Sequence, residues 1–390
     1  MKKMNESWIK TGLSRANRTV LAGGIVAALI AGLSVTASAQ FYLRTNLVSD
    51  VPGEALLTNS NLVGAWGITH SPTSPWWINT TVAGTSLVID GTGQPRPLVV
   101  TVPPTNGATP TGIVFNGGTN FEVEPGKPAA FIFATLNGVI SGWNPTQSNT
   151  AQAVVQVDNS TNNSSYTGIT LATNHGAALL YAANFRQNRI DVFDDAFNPV
   201  NVLPSAFKDG RIPPGYTVFN VLLVDDSLYV TYAPTNVFTT LGGRGQGYVD
   251  VYDLNGFLRH RLQHGFWMDA PWGITQAPAD FGAFSHDILV GNFGSGAIAA
   301  FDAKHGFFHG FLRDPDGLPI VISKGLWGIG FGNGGNAGPT NTLYFASDIL
   351  FGGRLHGLLG TLSLSPETST GDGDDDGDDN GGPSSGHHDR

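Results

Sequence analysis

Apolar and polar residues alternate along most of this chain with a period of two, in short stretches broken by turn residues. The clearest pair of stretches is Leu180-Tyr181-Ala182-Ala183-Asn184-Phe185 and Ile190-Asp191-Val192-Phe193-Asp194, joined by Arg186-Gln187-Asn188-Arg189. A period of two places successive side chains on opposite faces, so each stretch predicts a β-strand and the pair predicts a hairpin. A close copy runs from Leu289 to Asp302, and in both the step from Asn to the final Asp is ten residues. Weaker copies run from Trp77 to Asp90, Phe131 to Asn144, and Leu228 to Asp253, the last with a long inserted loop. No long 3.6-residue apolar period follows residue 39, so the body predicts an all-β fold.

A short phrase precedes each hairpin: Trp66-Gly67-Ile68, Thr111-Gly112-Ile113, Thr167-Gly168-Ile169, Phe219-Asn220-Val221, Trp272-Gly273-Ile274 and Trp327-Gly328-Ile329. The middle positions are 45, 56, 52, 53 and 55 residues apart, the length of one four-stranded blade. Six such units predict a six-bladed β-propeller over residues 40–365. Glycine at the centre of the phrase suits a crowded inner strand near an axis, where a side chain would collide. Outer strands are expected at Leu98–Val102, Ala153–Val157, around Val202–Phe207, Leu258–Leu262 and Phe308–Leu312. The sixth unit lacks one, and Tyr42–Val48 is expected to supply it and close the ring, removing a free sheet edge.

The two ends read differently from the body. Lys2, Lys3, Lys10, Arg15 and Arg18 precede an apolar run from Val20 to Val35, and Ala37-Ser38-Ala39 follows. That order predicts a signal peptide over 1–39, cleaved after Ala39, and a secreted or periplasmic protein. Sixteen residues interrupted by glycine are short for a membrane span, so no stable membrane anchor is expected. With no cysteine in the chain, stability must come from burial alone. Residues 366–390 hold eight acidic residues and one basic one and predict a disordered, self-repelling acidic tail. The body carries 14 basic against 21 acidic residues, a poor surface for nucleic acid. A monomer is expected.

Asn188-Arg189-Ile190-Asp191-Val192-Phe193-Asp194 resembles the third strand of NHL-type propeller repeats. Thr45–Asp50, Ala270–Ile274, Leu289–Gly294, Tyr181–Arg186 and Gly325–Gly328 are similar to stretches of a family of exported bacterial six-bladed propellers, whose members often carry PEP-CTERM sorting tails. The resemblance covers nearly all of residues 42–362 and implies the fold and an exported location. It implies no activity. The chain lacks the apolar anchor and basic end of such tails.

The candidate chemistry is sparse. No Gly-x-Ser-x-Gly elbow, His-Glu-x-x-His or phosphate-cradling loop is present. Loops entering inner strands and loops between second and third strands share one propeller face. Asn79, Asn184, Asn292 and Asp348 would therefore share a rim with Trp66, Trp272 and Trp327, where amides, a carboxylate and aromatic rings suit a polar ligand such as a sugar. The plainer reading is that each Asn caps its own turn and each Trp packs between blades. Asn220, the polar stand-in for glycine, would sit beside the axis. No resident cofactor is expected. Calcium is the one metal the residues suit, through Asn116 and Asn220 in the channel or through Asp372-Gly373-Asp374-Asp375-Asp376-Gly377 in the tail, and few charged ligands would make either site weak. His260/His264 and His305/His309 have helical spacing in strand or turn context, so zinc is not expected. His70 and His175 follow inner strands and are candidates for proton transfer. The glycine-rich run 241–247 is a lid candidate.

Two functions follow. The first is a scaffold that binds an extracellular polymer, glycan or protein on one rim. The second is a metal- or His-assisted hydrolase or lyase, lactonase-like, acting in the channel. Carboxylates or a carboxylate–His pair along the axis would favour the enzyme; glycine and aliphatic residues there would favour the scaffold.

Overall fold

The computed structural model describes residues 40–240 and 242–366. The expected signal segment and all but the first residue of the acidic tail lie outside the described residues. Within them the chain forms six antiparallel sheets set around an axis, a six-bladed β-propeller. The inner strands are Ala65–Thr69, Pro110–Phe115, Tyr166–Asn174, Tyr216–Val224, Pro271–Gln276 and Leu326–Phe331, each built on one copy of the repeated phrase. In blades one, two, four and five three further strands follow outward. The crowding expected at the axis is present: a Cβ on Gly273 would lie 2.5 Å from the Trp327 carbonyl oxygen, and one on Gly328 would lie 2.9 Å from the Ile68 nitrogen.

Stability resides between the blades, where apolar faces of adjacent sheets meet. Ile190, Val192, Val218, Val230 and Tyr252 form one such core between blades three and four. Leu289, Ile298, Leu326, Phe345 and Leu358 form another between blades five and six. Stacking of this kind lets each sheet bury both faces, which a lone sheet cannot do.

The ring closes as the pattern predicted. Tyr42–Ser49 pairs antiparallel with Arg354–Leu364, from Tyr42 opposite Leu364 to Ser49 opposite Leu358. Leu57–Thr58 then adds a short parallel strand outside it. Tyr42 donates its hydroxyl to the Phe281 carbonyl at 2.9 Å, and Arg44 reaches the carbonyls of Val321 and Ile322, so the closing strand is also tied to blade five.

Blade three departs from the expectation. It has three strands, Tyr166–Asn174, Ala177–Asn184 and Arg189–Phe193, and the outer strand expected around Val202–Phe207 does not form. Among the described residues the pairing there is one bridge between Phe193 and Pro199, with the Val200 N–H on the Val192 carbonyl and the Asp194 N–H on the Asn198 carbonyl. Pro199 and Pro204 cannot donate to a ladder. Phe207 instead turns inward with a φ of 56° and packs between Tyr181 and Tyr252. Blade two carries an unpredicted small hairpin, Glu122–Glu124 with Lys127–Pro128, and the insertion in blade four contains a short helix, Val237–Thr240.

Candidate functional site

Near the axis the inner strands enclose a cavity of about 30 Å³ lined by Gly67, Gly112, Gly273 and Gly328 with Ile68, Ile113, Ile169, Ile274 and Ile329. That is the room of about one water molecule. Asn220 is the polar side chain in this lining. Its amide nitrogen donates to the Trp272 carbonyl at 2.8 Å and its oxygen accepts the Val221 N–H at 2.8 Å. The space it fills exists because residue 168 is glycine; a Cβ there would collide with the Asn220 amide. Asn220 thus ties blade four to blade five.

One end of the channel is stopped by aromatic rings. Trp66 and Trp327 stack with centroids 3.4 Å apart, and Trp272 meets both edge-on. Phe219 and Phe293 close on Trp327. Phe238, on the short helix of blade four, lies over Trp66, Phe185 and Phe219 and is 42% exposed. All three tryptophans are buried, the consequence of packing large rings where six blades converge. The Trp272 N–H donates across the axis to the Thr167 carbonyl at 3.0 Å, and among the described residues the Trp66 N–H has no partner.

The polar residues predicted for this rim lie beneath its surface and bond to the frame. Asn79 donates to the Thr111 and Gly112 carbonyls of blade two. Asn184 accepts the Ser165 N–H and donates to Ser164 and Asp191. Asn292 accepts the Asp269 N–H and donates to the Trp267 and Ala297 carbonyls. Asp348 accepts the Trp327 indole N–H on Oδ2 at 2.8 Å, while Oδ1 is buried without a partner among the described residues. Burial pushes this carboxyl up to about 8, with the Trp327 bond offsetting only part of the effect. Sequence position brought these residues to one end of the blades, and the pull of unpaired backbone groups turned them inward.

The other candidates disperse. Asn116 bonds within its own loop, to the Asn120 and Ala129 carbonyls and the Gly118 N–H. His70 lies 2.8 Å from each of two carbonyls, of Ser71 and Phe331, and packs on Trp76. His175 occupies a turn with a φ of 49°. Among the described residues no group of three His, Asp or Glu side chains is placed to hold a metal. Glycines 243 and 245 bond to Asp269 and Met268, which holds the lid candidate against blade five.

A second feature of the same rim was not foreseen. Between blades three and four lies a pocket of about 370 Å³, lined by Asn188, Lys208, Asp209, Ile212, Pro213, Pro214, Tyr216 and Tyr232. Beneath it runs a buried polar network. Arg261 bonds Asp250 at 2.6 Å and Asp209 at 2.7 Å, the Tyr252 hydroxyl donates to Asp250, and the Tyr232 and Tyr252 hydroxyls are 2.8 Å apart. Arg211 grips Asp209 with two nitrogens and holds its carboxyl below the usual range; burial raises Asp250, against the pull of Arg261. The available signal was the charged run Lys208-Asp209-Gly210-Arg211 in a chain where charge is scarce.

No family profile matches the chain. Uncharacterized protein R648 of Acanthamoeba polyphaga mimivirus is 31% identical over 296 residues, 73% of this chain and 72% of R648. The chain belongs to that family. A second mimivirus member, Uncharacterized protein R640, is 32% identical over 233 residues, 57% of this chain, and the match spans only 43% of R640. These relatives of the family are viral, and they lend no support to an exported bacterial group; what stands of that resemblance is the six-bladed propeller. Among solved structures the chain is similar to a catalytically inactive virginiamycin B lyase from Staphylococcus aureus with quinupristin, at 14% identity and a TM-score of 0.48, covering 84% of this chain and 100% of that one. No functional residue is carried over from it.

Proposed function

We propose that this propeller is an exported binding scaffold that engages a polymer, glycan or protein on its aromatic-capped rim. The observation that carries the reading is the channel itself: glycines, aliphatic residues and one bonded Asn line about 30 Å³. Hydrolysis or elimination in the channel needs an acid or base within reach of a bound substrate. This lining offers neither, nor room for the substrate. The rim is different. Phe238 caps the aromatic cluster, and the tip of the blade-six hairpin exposes Leu350 (74%), Phe351 and Leu355 on the same side as the exposed Val82 of blade one. Exposed apolar side chains gathered on one face suit a partner surface.

The test is capture on a glycan array and from polymer-coated resin, with wild type and a Phe238→Ser, Phe351→Ser double variant. Retention by wild type and at least a tenfold loss in the variant is the expected result. Equal retention by both, or hydrolysis of a lactone or ester panel by the wild type, would overturn the reading.

A further inference from the structure

We infer that the pocket between blades three and four binds a carboxylate-bearing sugar, a uronic acid unit, with Lys208, Asn188 and Tyr216 as its hydrogen-bond donors. The inference deepens the rim-binding reading and rests on it, since Asn188, Gly215 and Tyr216 lie at the rim end of their blades.

The argument starts from which polar groups are already used. Asp209 and Asp250 are saturated by Arg211, Arg261 and Tyr252. Asn188 spends its oxygen on the Val218 N–H, leaving its NH2 group. Among the described residues the Lys208 ammonium has no ion pair and the Tyr216 hydroxyl no hydrogen bond. The three unused groups along the pocket are therefore an ammonium, an amide NH2 and a phenol, all able to donate. A ligand that satisfies them must present acceptor oxygens.

Charge selects among such ligands. Lys208, Arg211 and Arg261 stand against Asp209 and Asp250, so the locality carries one excess positive charge in a body that is otherwise acidic. A single carboxylate balances it; a phosphate dianion would leave an excess of negative charge over two buried carboxylates. Shape supplies the rest. Ile212, Pro213, Pro214 and the Tyr216 ring make one wall apolar, which suits the C–H face of a pyranose, and a pocket of about 370 Å³ is large enough to hold one.

The frame is tied down on both sides, which lowers the ordering cost of binding. Phe207 anchors one side by its ring, and its N–H bonds the Gly256 carbonyl at 2.9 Å. Arg261 clamps the connecting segment to blade four through Asp209, and its guanidinium also lies 4.9 Å from the centre of the Tyr248 ring.

The experiment is calorimetric titration of the purified full chain with galacturonate, galactose and acetate, repeated for Lys208→Gln, Lys208→Arg and Tyr216→Phe. Galacturonate should bind at least about tenfold more tightly than galactose or acetate, the worth of one charge-assisted bond. Lys208→Gln should erase that preference and Lys208→Arg retain most of it. Val155→Ser, on the exposed outer strand of blade two, should leave it unchanged. Galactose or acetate matching galacturonate, or an unaffected Lys208→Gln, would overturn the ligand assignment. Failure of galacturonate to bind while the rim still captures its partner on the array would overturn it too and leave the rim reading standing; failure of both assays sinks the two together.

Discussion

Blade six and blade three solve the problem of a sheet edge in opposite ways. Blade six recruits Tyr42–Ser49 from the far end of the body and covers its outermost strand along seven residue pairs. Blade three gives up its outer strand, and the residues that should have formed it become a connector that crosses to blade four. The first arrangement makes a joint. The second makes a pocket, because Phe207 and Asp209 dock on blade four instead of continuing a ladder. A strand added to an edge gives order alone, whereas a strand withheld frees side chains for recognition.

The comparison breaks most sharply at Val48. This side chain is fully buried in the core shared by blades six and one, so Val48→Asp should cost about 4 kcal/mol or more and move the urea midpoint accordingly. The same aspartate at Leu203 on the exposed connector should change stability by no more than about 0.5 kcal/mol. If the two substitutions cost the same, the contrast between joint and connector is wrong. Next in size is Phe207→Ala, expected to cost about 3 kcal/mol by leaving a cavity between Tyr181 and Tyr252. Denaturant titration measures that loss, and pocket affinity should fall with it.

The two regions also treat buried carboxyls differently, which yields an effect that is smallest in acid and grows with pH. Asp209 is gripped by Arg211 and depressed, so its contribution is present above the ordinary carboxylate range and lost as pH falls. Asp348 is raised to about 8, so the folded state holds a proton there that the unfolded chain releases near 4. Its contribution is therefore greatest below pH 4 and declines as pH rises toward 8. Asp348→Asn keeps an acceptor for the Trp327 N–H and removes the ionisation. It should be close to neutral at pH 4, stabilise by on the order of 1–2 kcal/mol by pH 5 and by more as pH rises toward 8, read as a widening gap between the two stability–pH curves. Parallel curves would mean that Asp348 is ionised in the folded chain.

Much of the frame was legible before any coordinates. The phrase Trp-Gly-Ile counts blades because an axis excludes Cβ atoms, a rule that acts at one residue and repeats with each unit. The seam was legible because a sixth unit short of a strand and an orphan strand at Tyr42–Val48 imply each other. Blade three differs because edge strands carry a weak pattern, and Val202 and Leu203 look like strand residues while lying exposed in an irregular connector. The rim residues were placed at the correct end of their strands but not at the correct depth. Whether Asn292 faces a ligand or the Asp269 N–H depends on a neighbour in another loop, which spacing does not report.

The sequence by itself determined the number of blades, their order, the inner strands and the closure of the ring, because each follows from local period and from the steric demand of the axis. Only the tertiary structure decided that the channel is stopped by stacked tryptophans under Phe238, that Asn220 spends its amide on a neighbouring blade, and that Lys208, Asn188 and Tyr216 surround one pocket. Those outcomes depend on which side chains from distant segments compete for the same space and the same hydrogen-bond partners, and that competition exists only once the blades have met.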